Sequence, residues 1–342
     1  MKKLSYKFYK PQDECPLLEE SLLKLYKTPF SDIRYLTIYG NVNSQSLHKL
    51  YLYEDGVLNH LLLLEFINNG REVVIHNSVI ILEECMLDYT LSLLWGERAI
   101  IAKECRKVTT RGTFYVANKY TKIPHVLYSN PLNDAVINLP LTSDEYYESL
   151  GNSTRKNAKY YKRRLAKDYP DLKIDYLRNS EINYSDVENL IAIKRKRAES
   201  IRRKCDISEI DIHRIVEYAK LYGFICKIQV KGELIAGMVN YIIDDECFCY
   251  VIAHAPNFSK YNAGQLSLIY TLEYLIEHQL KKCHLLWGAN EYKYRFGCQD
   301  YNLFKITIWK SPFEFLGNRI YSDIRYWVSA TLKGMTKLVL KR

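Results

Sequence analysis

The sequence predicts an α/β protein that contains two copies of one fold, each a mixed, mostly antiparallel sheet flanked by helices. Residues 49–77 read as three strands joined by two turns, and residues 227–255 repeat this pattern at an offset of about 178 positions. Apolar residues in the second copy follow helical spacing behind capping residues, which indicates helices beside the strands. A repeat of this length is typical of two domains, because solenoid repeats are far shorter.

The composition is that of a globular chain. Its 342 residues suit two domains of ordinary size, and contents of 48% hydrophobic and 26% charged residues exclude a disordered protein. No run of about 18 apolar residues is present, so no membrane-spanning helix is expected. The first residues have no apolar stretch behind them, which argues against a secretory signal. Nine cysteines without a C-x-x-C pair and eight scattered histidines favour a reducing cytoplasm and no metal site.

The elements of the second half can be read in order. Two helices begin at a capping serine: Ser185 for residues 184–204, and Ser208 for a helix that stops at Gly223. The stretch "YNAG" opens a third helix, which is expected to end near Gln279. Alternating or continuous apolar runs predict the strands, which are 172–177, 224–231, 233–243, 247–255, 283–288 and 302–310.

The first copy has no counterpart of "YNAG", so a ligand that binds at that turn is expected in the second copy alone. The predicted divisions are 1–141 as a degenerate first domain, 142–171 as a basic joining helix, 172–312 as the ligand-binding domain and 313–342 as a basic amphipathic helix.

The net charge of +10 is concentrated in two places. Residues 151–204 hold 16 Lys or Arg against 7 Asp or Glu, and residues 317–342 hold 6 Lys or Arg against Asp323 alone. The first segment is expected either to bind a phosphate-rich partner or to form a solvated face. The partners that fit are a nucleotide-linked sugar, an anionic membrane surface, or tRNA, whose bases could stack on Tyr160 and Tyr161.

The junction of strand and helix at "YNAG" predicts an anion site. The first amide groups of a helix have no intrahelical partner, and the helix dipole adds partial positive charge there. Small side chains at Ala263 and Gly264 would let a phosphate approach the backbone, with Lys260 beside it. The alternative is that Gly264 only allows close packing of the helix on the sheet. Walker, Rossmann and HExxH patterns are absent.

Three stretches resemble one family. They are "DEYYESLGNSTRKNAKYYKRRL" at 144–165, "NFSKYNAGQLSLIYTLEYL" at 257–275 and "LLWGANEYKYRFG" at 285–297. Their order and spacing resemble the CelD-like branch of the GNAT acyltransferases, which is related to the FemAB peptidyl transferases and carries tandem GNAT domains. The chain departs from the family pattern at Asn262-Ala263, where Ser-Pro is usual, so the pre-set backbone that proline supplies is missing.

The resemblance implies transfer of an acyl group from acetyl-CoA or another acyl-CoA, bound as a co-substrate without a metal, to an amine. By analogy, the acceptor would be an amino sugar of an envelope polysaccharide, including a nucleotide-linked one. Backbone groups around the turn would hold the donor's diphosphate, and the strand before the helix would bind its pantetheine arm. The donor-binding residues implied are Lys260, Tyr261, Asn262, Ala263, Gly264 and Gln265.

Four residues are candidates for the chemistry, which needs a base for the attacking amine and a donor for the leaving group. His254 ends a strand just before the turn and is either the base or a core histidine. Glu291, Tyr292 and Lys293 follow a strand end. Tyr292 is expected to protonate the thiolate or to pack, and Lys293 to bind an acidic group or to be solvated.

Two other functions remain open. One keeps the fold but uses aminoacyl-tRNA as donor, as FemAB relatives do. The other is a non-catalytic protein at the membrane surface, because Trp327 lies on an apolar stripe of a basic terminal helix. The predicted location is the cytoplasm, with contact to the inner face of the membrane through that helix.

Overall fold

The computed structural model describes residues 3–15, 17–39, 42–43, 46–95, 100–116, 119–288 and 291–321, with the backbone alone at 130–131. The strands of this part of the chain, β1 to β14 in order, are Leu4–Tyr9, His48–Glu54, Val57–Ile67, Glu72–Ile75, Ile80–Ile81, Lys107–Thr110, Phe114–Tyr115, Val126–Asn138, Lys173–Arg178, Gly223–Val230, Glu233–Ile243, Glu246–His254, Lys282–His284 and Gln299–Trp309.

The helices that accompany these strands, α1 to α9 in chain order, are Leu18–Tyr26, Ile33–Ile38, Glu84–Trp95, Ser143–Ser149, Asn152–Asp168, Tyr184–Ser200, Glu209–Tyr222, Ala263–Glu277 and Glu291–Arg295. Short 3₁₀ turns lie at Pro29–Ser31, Asn179–Glu181 and Pro256–Tyr261. None of the described helices is both long and apolar enough to cross a membrane.

The chain folds into two compact units that are both discontinuous in sequence. Unit 1 comprises the described parts of Met1–Pro16, Gln45–Pro131 and Leu303–Arg342. Unit 2 comprises those of Leu17–Ser44 and Leu132–Asn302. Two of the four changes between the units fall inside strands β8 and β14.

Unit 1 holds a mostly antiparallel sheet with the strand order β1-β2-β3-β4-β6-β14. The pairs β4·β6 and β5·β7 are parallel. Helix α3 lies between β4 and β6 in the chain, as the crossover connection of a parallel pair requires.

Unit 2 holds the strands β8-β13-β12-β11-β10-β9, of which only the pair β12·β13 is parallel. Helices cover both faces of this sheet. Neighbouring residues of a strand point to opposite faces, so one strand can contact helices on both sides. Phe224 and Cys226 of β10 pack in the core cluster with α8, whereas Lys227, the next residue, donates to Asp186 of α6 at 2.8 Å. The predicted fold class, a mixed and mostly antiparallel sheet flanked by helices, is confirmed.

The predicted repeat extends to turns and irregularities. In unit 1, Asp55 and Gly56 adopt φ of 51° and 82°, and in unit 2 Lys231 and Gly232 adopt 54° and 76°. Positive φ at both central residues is the mark of the type I′ turn, which matches the twist of a hairpin. Each hairpin also has a register shift shortly before its turn, between Leu52 and Tyr53 and between Ile228 and Gln229.

Some predicted boundaries differ from the structure. Helix α6 is capped by Asn183 rather than Ser185, since Asn183 and Asp186 form a capping box. The predicted caps of α7, Ser208 and Gly223, are confirmed.

Strand β13 ends at His284 rather than at residue 288, because Leu286 adopts a left-handed conformation with φ of 56°. The joining segment 142–171 is two helices, α4 and α5, rather than one. Of the predicted terminal helix 313–342, residues 313–321 are helical, and 322–342 lie outside the described residues.

Candidate active site

Unit 2 contains a cleft of about 710 Å³ between the end of α6, the end of β12 and the start of α8. The predicted residues His254, Asn262, Gly264, Gln265 and Tyr292 line it together. The other lining residues are Lys194, Arg197, Ala198, Ile201, Arg203, Lys204, Cys205, Asp206, Ile207, Ile252, Ala253 and Ser259. The start of α8 thus borders an open space, as an anion site requires.

The first turn of α8 offers amide groups without intrahelical acceptors. Its N-cap, Asn262, adopts a left-handed conformation with φ of 51° and makes no capping hydrogen bond with its side chain. The Asn262 carbonyl accepts from the amides of Gln265 at 2.8 Å and Leu266 at 3.0 Å. The amides of Ala263 and Gly264 precede these and have no carbonyl within the helix to bond. Asparagine tolerates this conformation without proline, which accounts for the departure from Ser-Pro in the sequence.

The imidazole of His254 lies so close to position 264 that it leaves no room for a side chain there. A Cβ atom at Gly264 would lie 2.7 Å from Nδ1 of His254, well inside van der Waals contact. Any side chain there would displace the imidazole from the end of β12. Gly264 therefore allows close packing against His254, and it also lines the cleft at the start of α8.

Beside the cleft, strands β12 and β13 separate after a short paired stretch and leave a wedge-shaped gap between them, called the wedge below. They pair only over Glu246–Phe248, although β12 continues to His254. Tyr250 is an extra residue in the pairing with β11, since Asn240 faces Cys249 and Val239 faces Val251. Such a bulge bends a strand, which explains why β12 leaves β13 at this point.

Four cations from α6 and the segment after it line the cleft: Lys194, Arg197, Arg203 and Lys204. Lys194 Nζ donates to the carbonyl of Ile252 at 3.2 Å, which ties α6 to the end of β12. Burial lowers the pKa of Lys194. The basic run that the sequence predicts to bind phosphate thus lies on the same cleft as the start of α8.

His254 and Tyr292 have protonation states suited to a base and an acid. Burial lowers the pKa of His254, and the positive charges of Arg197 and Lys194 lower it further. Burial raises the pKa of Tyr292 to about 12. At neutral pH the imidazole is therefore free to accept a proton and the phenol carries one to donate.

The other predicted residues lie outside this cleft. Ala263 and Tyr261 belong to the core, and the Tyr261 hydroxyl donates to Asp168 at 2.9 Å. Lys260 is exposed, with its ammonium 5.0 Å from the centre of the Tyr261 ring. Glu291 is 91% exposed and pairs with Arg295 at 3.4 Å.

Lys293 is buried and its ammonium is fully used. It donates to the carbonyls of Leu285 at 2.9 Å, Leu286 at 2.8 Å and Trp287 at 2.9 Å, which accounts for all three of its protons. Lys293 therefore holds the segment after β13 and is not available to bind a charged group in the cleft. No pattern in the sequence indicates this role, because a lysine in "EYKYR" looks solvated.

Comparisons with known proteins agree with this geometry. The family model described as "Acetyltransferase (GNAT) domain" matches residues 152–294. The crystal structure of FemX shares the fold with a TM-score of 0.56 at 9% identity, covering 86% of this chain and 97% of that one. L-PGS from Bacillus licheniformis does so with a TM-score of 0.52 at 11% identity, covering 91% and 96%. No curated protein matches the sequence.

The chain is an α/β protein that shares its fold with these structures, and part of it matches an acetyltransferase domain model. More particularly, residues 152–294 match the GNAT domain model, and the predicted resemblance to the tandem-GNAT, FemAB-related branch is confirmed. The CelD-like assignment within that branch stays a prediction.

Proposed function

We propose that the cleft transfers an acyl group from acyl-CoA, in the simplest case acetyl-CoA, to an amine. One observation carries the proposal: the open start of α8, the four cations, His254 and Tyr292 line a single cavity. The GNAT domain match supports it, because the matched residues 152–294 include every one of these groups.

The donor's diphosphate fits the start of α8. Two amides without intrahelical acceptors, the positive end of the helix dipole and the guanidinium groups of Arg197 and Arg203 belong to the same cleft. Gly264 itself lines the cleft, so the backbone at the start of α8 borders the open space. These residues therefore suit two negatively charged phosphates better than a neutral ligand.

The pantetheine arm fits the wedge between β12 and β13. Beyond Phe248, β12 has no paired strand on the side of β13 among the described residues. Its backbone groups there can bond the amides of an extended ligand, as a further strand would. The arm would run from the start of α8 along this edge of β12, toward the point where β12 leaves β13.

The chemistry then follows from two side chains. The amine nitrogen attacks the thioester carbonyl carbon, and neutral His254 accepts the proton that the nitrogen loses. The carbon–sulfur bond breaks, and Tyr292 gives its proton to the departing thiolate. Glu291 and Lys293 have no role in this proposal. The amino-sugar acceptor stays a prediction.

Calorimetry with acetyl-CoA tests donor binding. We expect heat of binding for the full chain, and none for Gly264→Trp, whose side chain would fill the start of the cleft. Arg197→Ala should weaken binding about tenfold, the loss expected for one charge-assisted contact of roughly 1.5 kcal/mol. Lys220→Ala is the matched control, because this exposed lysine on α7 is away from the cleft. Absence of heat from the unmodified chain would refute the proposal.

A second candidate, transfer from aminoacyl-tRNA, is favoured by the basic face of α5. A surface cavity of about 460 Å³ is lined by Lys156, Lys159, Tyr160, Arg163, Arg164, Lys167 and Asp168. Five cations beside an aromatic ring suit a nucleic-acid backbone with a stacked base. Binding of tRNA should weaken steeply with salt, and Arg163→Ala should lower the salt slope by about one unit. Salt-independent binding would contradict this candidate.

A further inference from the structure

Three thiols of unit 2 lie together on strands β12 and β13. The Sγ atoms of Cys247, Cys249 and Cys283 are all within 4.8 Å of one another. Cys247 and Cys249 are alternate residues of β12 and point to the same face, and Cys283 of β13 faces Cys247 in the parallel pair. None of the three lines the cleft described above.

Among the described residues, the surroundings offer three sulfur ligands and no fourth metal-ligating side chain. The nearest imidazole in sequence is His284, whose Nδ1 contacts Asp134 at 2.7 Å and whose Nε2 contacts Glu246 at 2.9 Å. Both ring nitrogens are therefore engaged by carboxylates. Within the described part of the chain, the group of metal-ligating side chains at this place consists of the three cysteines alone.

We propose that Cys247, Cys249 and Cys283 form a binding site for a soft, thiophilic metal ion held by three sulfur atoms. Thiolate ligands select soft ions such as Cu⁺, whereas Mg²⁺ and Ca²⁺ require oxygen. Structural zinc sites are closed by four ligands, so a set of three suits an ion that accepts lower coordination or one external ligand.

The burial of the cluster is compatible with loading. Cys247 and Cys283 are 0% exposed, and Cys249 is partly buried, so the cluster lies nearest to solvent at Cys249. Each thiol that binds exchanges its S–H bond for a sulfur–metal bond and releases one proton to solvent. Binding should therefore release up to three protons per ion, one for each thiol, and weaken as the pH falls.

A disulfide is the competing use of the same atoms. The Sγ atoms of Cys249 and Cys283 are 3.4 Å apart, and their oxidation would need an acceptor for two electrons and two protons. A disulfide would leave one thiol and no three-sulfur site. The two uses are separated by counting free thiols before metal is added.

The test is titration of the reduced full chain with Cd²⁺, whose bonds to thiolates absorb in the ultraviolet. We expect one tightly bound Cd²⁺ per chain, no comparable binding of Mg²⁺, and release of protons. Cys249→Ala and Cys283→Ser should each weaken Cd²⁺ binding by at least about 100-fold. The loss of a metal ligand should cost more affinity than the loss of a residue that only hydrogen-bonds to a ligand. Cys85→Ser removes an exposed thiol of unit 1 and should change nothing.

The proposal would be overturned if Cys249→Ala bound Cd²⁺ as tightly as the unmodified chain, or if Cys85→Ser accounted for the binding. It would also fail if air-oxidised chain, folded and purified without reductant, already contained a Cys249–Cys283 disulfide that persists at cytoplasmic glutathione levels. Should Cys283→Ser not fold because the position is buried, Cys249→Ala and Cys247→Ala still decide the outcome.

Discussion

At the residue scale, one close contact links two of the residues that line the cleft. Gly264 and His254 are separated in sequence by the turn before α8, yet the imidazole occupies the space that a Cβ at Gly264 would need. The glycine thus places a potential base against the start of α8. This is a stricter requirement than phosphate approach alone, because even the methyl group of alanine would force the imidazole to move.

Gly264→Ala should lower kcat/KM for acyl transfer by about 10- to 100-fold, since the displaced imidazole would no longer reach the amine. Gly151→Ala is the control, because Gly151 also lies at the start of a helix, as the N-cap of α5, but a Cβ there would have no neighbouring atom within 4 Å. The assay is steady-state transfer from acetyl-CoA. An unchanged rate for Gly264→Ala would remove His254 from the mechanism.

The pH dependence of transfer should report on His254. Its pKa lies below the ordinary value of 6.5 because burial and two cations disfavour the imidazolium. Neutral His254 is then present at pH 7, and kcat/KM should fall only as the pH drops through that lowered pKa. Arg197→Ala removes a positive neighbour, so the acid limb should move to higher pH. A limb that does not move, measured by kcat/KM between about pH 5 and 8, would contradict the assignment.

At the scale of elements, regular structure could be predicted well from the sequence and its irregular ends poorly. Capping residues such as Ser208 and the apolar run of β11 act locally, so the helix and strand could be read directly. Strand β13 could not, because its length depends on pairing with β12, which is distant in the chain. The three-thiol cluster depends on that same long-range pairing, which is why spacing alone suggested no metal site.

The segment after β13 depends on Lys293 for its shape. Lys293→Met should destabilise the fold by at least about 2 kcal/mol, because three carbonyls would lose a charged donor in a buried place. Arg295→Met, on the same short helix but 64% exposed, should change stability little. The midpoint of urea unfolding measures both. Equal midpoints for the two variants would show that the ammonium does not hold this segment.

At the scale of the whole molecule, two copies of one fold differ at the two features that make the cleft. In unit 2, β12 bulges at Tyr250 and leaves β13 after three paired residues. In unit 1, all four residues of β4 pair with β6, so this described strand opens no wedge. The start of α3 carries Glu84, whose carboxylate accepts from the amides of Lys122 and Ile123.

One acyl-CoA per chain should therefore bind, in unit 2, because a carboxylate at the start of α3 repels a diphosphate while the bare start of α8 attracts it. Calorimetry with acetyl-CoA should give a stoichiometry of one for the full chain. Glu84→Gln should leave that stoichiometry unchanged, since removing the charge does not open β4 from β6. Two acetyl-CoA molecules bound per chain, or heat of binding that remains in the Gly264→Trp variant, would contradict this prediction. Either result would mean that the wedge and the bare start of α8 do not select the ligand.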